Sequence, residues 1–392
     1  MRATTARERA LAPDVARGLA LLGIALANGV VHITGRTTGV LAKPVDGSAG
    51  DRLVDTLVGL LVDNRAFPMF TLLFAYGTVV ILRRSAERGL TWPEARGLLL
   101  RRNAWLAVVG VAHLVLLFFG DILLSYGLLG LLLVAVVRWP DTRLRTLGWA
   151  TLPLFVGLSA LDGLGGATGV PAGLPGRETF VGDLLWRGVT LVSSVFSAPL
   201  VVGALLPPAV IGILLARRRV LEQPADHLPL LRRLVLVGFP VSVVGGVPAV
   251  LAATGAVELA TGWDVVVAAL HGLTGLAGAV AFTAAVAWWS TTVGPRGPGV
   301  VARAARAVGR RSLTCYLLQS VLFVPLLSAW ALGLGAGAGT ATVSLVAVGV
   351  YAVTVLVAVV LDRLDLPGPA ERLLRRLTYG QPPVGAGAEV RP

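Results

Sequence analysis

The placement of arginine constrains this chain more than any other feature. Arginines gather at residues 2–17, 83–102, 138–145, 217–233, 296–311 and 363–391, with long apolar runs between the clusters. All but six of the 34 basic residues lie in them, the exceptions being Arg36, Lys43, Arg52, Arg65, Arg177 and Arg187. About ten runs approach bilayer length, near 18–34, 66–82, 103–119, 122–138, 145–161, 190–215, 234–256, 264–290, 313–334 and 341–361. Clusters on every second connection read as positive-inside topology. An even number of spans returns the chain to its starting side. The expectation is an all-α, polytopic membrane helix bundle of about ten transmembrane helices with both termini cytoplasmic, multi-pass in a bacterial plasma membrane. Losing or adding one span would put several clusters on the wrong side.

Composition excludes the main alternatives. With 55% hydrophobic residues, 14% charged residues and a mean hydropathy of +0.80, a soluble domain of 392 residues is ruled out. A net charge of +13 suggests nucleic acid in a soluble protein, but arginines confined to inter-span segments form no basic stripe, so no nucleic-acid partner is expected. Cys315 is the only cysteine, which excludes an internal disulfide and a multi-cysteine metal site. The four histidines lack metal-ligand spacing, and no Walker, G-x-G-x-x-G or G-x-S-x-G motif is present. No bound cofactor or metal is expected. The first run lacks a signal-peptide cleavage pattern and reads as a retained span. Residues 1–379 are expected to form one transmembrane domain and 380–392 a disordered tail. The longer segments 35–65 and 162–187 fall outside as caps over an outward cavity, the first holding an interfacial helix, DRLVDTLVGLLVDN. Oligomeric state is not legible.

The candidate chemistry centres on RRNAWLAVVGVAHLVLLFFGDILLSY, residues 101–126. As one helix, residues 101–138 would extend about 57 Å, nearly twice a hydrocarbon core of about 30 Å. A turn is therefore required, and Gly120-Asp121 is the best turn-forming pair. His113 then lies roughly 16 Å from the Arg101/Arg102 pair, at mid-depth, where an ionisable group is a functional hypothesis by default. A histidine beside a carboxylate suits general-base chemistry. Asp121 lies about 12 Å away along a straight helix, so contact requires a bend. Tyr126 stands close enough in sequence to complete a polar cluster.

Other polar residues in or near the spans are weighed for structural and binding roles. Asp14 and Arg17 pair across one turn at the inner interface, where Arg17 also reads as a topological anchor. Asn28 and His32 share a helix face, His32 near the outer interface, where the solvated reading is preferred. Arg65 could clamp an anionic group bidentately, or pair with Asp63 or lipid phosphate. His271, beside Gly272 and Gly275, fits a structural or functional role equally. Ser312 and Thr314 read as caps, and Gln319 as a hydrogen-bonding group within the bundle or cavity. His227 reads as solvated in a loop. The terminal segment LDRLDLPGPAERLLRRLTYG is amphipathic and suits anionic lipid headgroups.

Five stretches resemble the YeiB-like family of bacterial membrane proteins, a domain of unknown function: DVARGLALLGIALAN, FPMFTLLFAYG, GVAHLVLLFFGDILLSYGLLG, GRRSLTCYLLQS and GPAERLLRRLTYG. They occur in the family's order over nearly the whole chain. Cys315 stands where asparagine is usual, and Arg372 and Leu374 where tryptophans are usual. More distantly, the D-x-x-R-G start and ten-span plan resemble the transmembrane acyltransferase superfamily. That resemblance implies a tunnel through the bundle, a cytoplasmic acyl donor such as acyl-CoA, and an extracytoplasmic hydroxyl on a small molecule or glycan, deprotonated by histidine. Sugar acyltransferases of this kind often keep their histidine in the first span, which makes His32 the competitor.

The leading expectation is an acyltransferase-like membrane protein with His113 as base and Asp121 as its orienting or acceptor-binding carboxylate. Asn28, Arg65 and Gln319 would line the cavity, with His32, Tyr126 and His271 as further substrate-binding candidates and Asp14 and Arg17 at the cytoplasmic side. The rival is a proton-coupled small-solute transporter relaying protons through His113, His271 and Asp121, favoured by helix breaks expected at Pro207-Pro208, Pro240 and Pro248. A scaffold without chemistry is the third reading.

Overall fold

The computed structural model describes residues 10–164, 171–172, 177–260, 262–294 and 296–379; the expected tail at 380–392 lies outside them. Long apolar stretches without strand alternation fold as helices, which satisfy their own backbone where water is excluded. In chain order these are α1 (Leu11–Val30), α2 (Ala49–Leu61), α3 (Ala66–Glu87), α4 (Trp92–Leu116), α5 (Leu123–Val136), α6 (Asp141–Ala160) and α7 (Phe180–Arg217). They continue as α8 (Leu228–Ala253), α9 (Trp263–Ser290), α10 (Val300–Arg310), α11 (Ser312–Leu327), α12 (Thr340–Arg363) and α13 (Pro369–Tyr379).

Eight helical segments, containing α1, α3, α4, α6, α7, α8, α9 and α12, are long and apolar enough to cross a membrane by length and composition. The shorter apolar helices α5 and α11 bring the apolar helices to the ten expected. Helices α2, α10 and α13 are amphipathic and lie outside those ten. A two-residue antiparallel pairing of Arg36–Thr37 with Pro171–Ala172 joins the two longer outer segments. This is an all-α bundle.

Local chemistry sets the helix ends. Ser48 and Asp51 form a capping box at the start of α2, and Thr91 with Glu94 does the same for α4. Asp51 serves twice, since its second oxygen accepts the Ala341 N–H at 2.8 Å at the start of α12. At α11 the expected caps Ser312 and Thr314 give way to Glu371 of α13, which accepts the N–H groups of Leu313 and Thr314 at 2.8 and 3.2 Å. The expected proline breaks are absent: α7 runs through Pro199, Pro207 and Pro208, and α8 through Pro240 and Pro248. Pro207 and Pro208 are buried against neighbouring helices, whereas Pro199 and Pro240 face outward and stay within the helix without such cover.

Basic ends of the helices converge on one end of the bundle. Arg101 of α4 donates to Thr378 O of α13 at 3.2 Å, Arg217 of α7 reaches Val137 O at 2.9 Å, and Arg83 of α3 pairs with Glu222. Five of the six outlying basic residues meet acids or carbonyls at the opposite end. Arg36 binds Asp46, Lys43 binds Asp63, Arg177 and Arg187 bind Asp183, and Arg65 is spent on carbonyls and a serine. These contacts compensate the outlying basic residues, while the arginine-rich end carries the excess positive charge.

The hairpin α4–α5 turns where length required. Leu117 and Phe118 both direct their N–H groups to His113 O at 2.9 Å, which widens the last turn of α4 and folds residues 117–122 back. Gly110 and Gly127 let the two helices approach so closely that a Cβ would strike the backbone of Leu124 or Ala107. With 14 residues, α5 reaches only about 21 Å, so the turn lies within the depth of the bundle.

Candidate functional site

Folding residues 117–122 back removes the 12 Å separation expected for a straight helix. His113 Nδ1 lies 2.7 Å from Asp121 Oδ1, with both side chains almost wholly buried. Asp121 Oδ2 accepts the Leu124 N–H at 2.7 Å, which locks the carboxylate to the first turn of α5. On its other side, His113 Nε2 lies 2.9 Å from Ser320 Oγ of α11. An acceptor-only carboxylate fixes the proton on Nδ1, so Nε2 accepts from the Ser320 hydroxyl. Asp121, His113 and Ser320 thus form one polarised hydrogen-bond chain in apolar surroundings. The Tyr316 and Phe118 rings flank the imidazole at 5.1 and 6.2 Å.

Two cavities lie near this chain at opposite ends, and the lining of neither includes His113, Asp121 or Ser320. The larger, about 860 Å³, opens at the arginine-rich end and is lined by Arg17, Arg84, Arg88, Arg102, Arg310, Arg311, Arg372 and Arg375 against Asp14, Glu222, Asp365 and Glu371. Its inner part is walled by Phe70, Phe74, Leu106, Ile122, Leu123 and Tyr316. The smaller, about 220 Å³, is lined by Asn28, Asp63, Asn64 and Asp162, with Phe67 and Ile122. Ile122 belongs to both walls and follows Asp121 directly. Its N–H donates to Tyr316 Oη at 3.3 Å, so the partition between the cavities is held to the helix that carries Ser320.

The remaining candidates divide between these cavities and a second polar network. Asp14 and Arg17 line the basic cavity and pair at 3.5 Å, with Asp14 Oδ2 unpartnered among the described residues. Asn28 lines the outer pocket. His32 is buried at 4% exposure, contrary to the solvated reading. It stacks on Phe118 at 5.4 Å because the hairpin turn folds over the end of α1, and its Nε2 has no partner among the described residues. Tyr126 does not join the His113 cluster. Its hydroxyl meets Thr71 Oγ1 at 2.9 Å on α3, because its position on α5 turns it toward α3 and away from α11. Gln319 is buried and donates to Leu21 O at 3.3 Å, lining neither cavity. His227 is half-buried against Arg218 O at 2.8 Å.

Arg65 is the largest departure from expectation. At 1% exposure, it lies inside the protein and lines neither cavity. Its guanidinium contacts Ser242 Oγ at 3.0 Å, Ser242 O at 2.8 Å, Gly59 O at 2.9 Å and Asp63 O at 2.6 Å, tying α2 and α3 to α8. Those bonds leave it no free edge for an anionic ligand. His271 Nε2 lies 2.8 Å from Gly59 O and 2.6 Å from Arg65 Nη1, while its Nδ1 lies 3.1 Å from Asn64 Nδ2. Asn64 also donates to Asp162 at 3.0 Å. Nearby, burial pushes the Asp55 carboxyl on α2 up to about 6, against the downward pull of Lys43.

Sequence reasoning passed over Ser320 as His113's partner, along with Asn64 and Asp162. No local signal joins positions 113 and 320. The polar run in GRRSLTCYLLQS was the available hint, and it marked α11 as polar without selecting the residue.

An apolar helical bundle with a buried acid–base chain between a basic cavity and a small polar pocket defines a membrane-like helical protein with an internal polar site. Residues 215–381 match the family described as "Protein of unknown function (DUF418)". The uncharacterized protein YeiB of Escherichia coli (strain K12) is 30% identical over 161 residues, covering 40% of this chain and 39% of that protein. The uncharacterized protein YxaH of Bacillus subtilis (strain 168) is 29% identical over 140 residues, covering 33% of each. The chain thus spans between a third and two-fifths of the length of these relatives. Over these stretches it is similar to the family of unknown function and to its YeiB-like relatives.

Proposed function

We propose that this protein is a plasma-membrane, multi-pass acyltransferase-like enzyme, with the arginine-rich end in the cytoplasm. The observation that carries the reading is the buried Asp121–His113 pair next to Ile122, the residue that lines both the basic cavity and the outer pocket. A cavity of about 860 Å³ lined by eight arginines suits a donor with several phosphate groups, such as acyl-CoA. Its apolar inner wall suits the acyl end. The outer pocket, with Asn28, Asp63, Asn64 and Asp162, offers acceptors and donors for the hydroxyls of a small molecule or glycan.

Asp121 fixes the imidazole so that Nε2 is the basic nitrogen, and it stabilises the imidazolium that forms when a hydroxyl proton is taken. Partitioned cavities let donor and acceptor enter from opposite ends and keep bulk water away from the thioester. The amphipathic helices α10 and α13 would rest on anionic headgroups at the arginine-rich end.

The test is release of free thiol from acyl-CoA by membranes containing the wild-type chain, His113→Ala or Arg102→Met. Release that requires both residues supports the reading. A folded His113→Ala protein with undiminished release removes it. Solute uptake into proteoliposomes driven by a pH gradient, with no acyl donor present, would replace it with transport.

A further inference from the structure

We propose that Ser320 is a nucleophile that carries the acyl group covalently, so that transfer proceeds through an acyl-serine on α11. This rests on the acyl-transfer reading and adds a residue and an intermediate to it. A histidine acting only on a bound acceptor needs its basic nitrogen open toward that acceptor. Here Nε2 is already occupied by Ser320 Oγ at 2.9 Å, with Asp121 on Nδ1 at 2.7 Å. Nucleophile bonded to base, and base bonded to an orienting carboxylate, is the arrangement that activates a serine hydroxyl.

The surroundings point the same way. Ser320 is 2% exposed, and His113 is the only partner recorded for its side chain among the described residues. It follows Tyr316 by four residues, which places both on one face of α11, and Tyr316 lines the inner wall of the basic cavity. Ser320 lies one turn beyond that wall and outside the cavity lining, so the acyl carbonyl has to pass Tyr316 to reach it.

In the first half-reaction Ser320 Oγ attacks the thioester carbonyl and passes its proton to His113 Nε2. The Oγ–C bond forms, the C–S bond breaks, and the departing thiolate takes the proton from Nε2. In the second, the acceptor hydroxyl gives its proton to Nε2 and attacks the acyl-serine carbonyl. The new ester forms as Ser320 Oγ leaves and recovers that proton.

A fluorophosphonate probe tests the nucleophile without knowledge of the donor, because Ser320 would displace fluoride from phosphorus and keep the phosphonyl group. With the full chain in detergent or nanodiscs, peptide mass spectrometry should find the adduct on Ser320. It should vanish in Ser320→Ala and form about 10²-fold more slowly in Asp121→Asn. A merely structural hydrogen bond gives no adduct, and its absence from folded wild type overturns the proposal. Thiol release from acetyl-CoA separates the two levels. Release that survives in Ser320→Ala but fails in His113→Ala overturns the acyl-serine and leaves acyl transfer standing. An adduct on Ser320 without thiol release from any acyl-CoA supports the nucleophile and removes the donor assigned above. Should Ser320→Ala fail to fold, Ser320→Cys in a Cys315→Ala background replaces it. Iodoacetamide alkylation of that thiol should then depend on His113, and independence from His113 overturns the proposal.

Discussion

Two buried histidines in this bundle have opposite electrostatic neighbours. His113 has a carboxylate on one nitrogen and a hydroxyl on the other. His271 has an amide on one side, and a carbonyl with the Arg65 guanidinium on the other, so a second positive charge would face the first. Residue type and burial are alike, yet only His113 has a carboxylate and a hydroxyl as its two partners. Only His113 also stands beside the partition between the two cavities. The general lesson is that two buried histidines of one bundle are told apart by the charge that faces each.

Replacing each histidine tests this contrast most directly. His113→Ala should lower thiol release from acyl-CoA by about 10²- to 10⁴-fold per folded molecule, and also lower the unfolding temperature because the buried Asp121 carboxylate loses its partner. Equal loss from His271→Ala, measured per folded molecule, would erase the distinction. The next largest effect is expected at Arg65. Arg65→Met leaves Gly59, Asp63 and Ser242 carbonyls buried without their donor, and should cost about 3 kcal/mol or more of stability, read as a lower unfolding temperature in detergent. His271→Ala removes a partner of Asn64 and of Gly59 O, so a loss of about 1–3 kcal/mol with activity per folded molecule unchanged is expected. Stability and activity should thus separate by network.

Which parts of this were legible in the sequence follows from the range of the forces involved. The α4–α5 turn was legible because a 57 Å helix cannot fit a hydrocarbon core of about 30 Å, and Gly120-Asp121 offered the best turn-forming pair. The proximity of His113 and Asp121 was legible as a pair but not as a contact, since that depended on how tightly residues 117–122 fold back. Ser320 was beyond reach, because a hydrogen bond across 207 positions leaves no periodic trace. Arg65 was misjudged for a related reason. Counting arginines by side shows that one sits away from the basic end, but not that Gly59, Asp63 and Ser242 supply enough oxygens to bury it. The prolines of α7 and α8 misled because both helices run on through them, Pro207 and Pro208 packed inside the bundle and Pro240 on its outer face.

The smallest predicted effect sharpens the comparison at the His271 side, where opposite charges are packed together. Asp55 on α2 is 3% exposed, with Lys43 Nζ at 3.9 Å, while Lys43 pairs more closely with Asp63 at 2.9 Å. Burial pushes the Asp55 carboxyl up to about 6, so between roughly pH 4 and 6 the folded protein keeps a proton that the unfolded chain releases. The stabilising contribution of that group is complete below about pH 4 and is lost as pH rises through 6. Asp55→Asn imitates the protonated form and should leave unfolding temperature near wild type at pH 4. At pH 8 the variant should be more stable by on the order of 1 kcal/mol, because Lys43 keeps Asp63 as its partner. A variant less stable than wild type at pH 8 would mean that Lys43 draws its main stabilisation from Asp55. The network around His271 would then be a balanced set of charges and not a brace that tolerates one carboxylate too many.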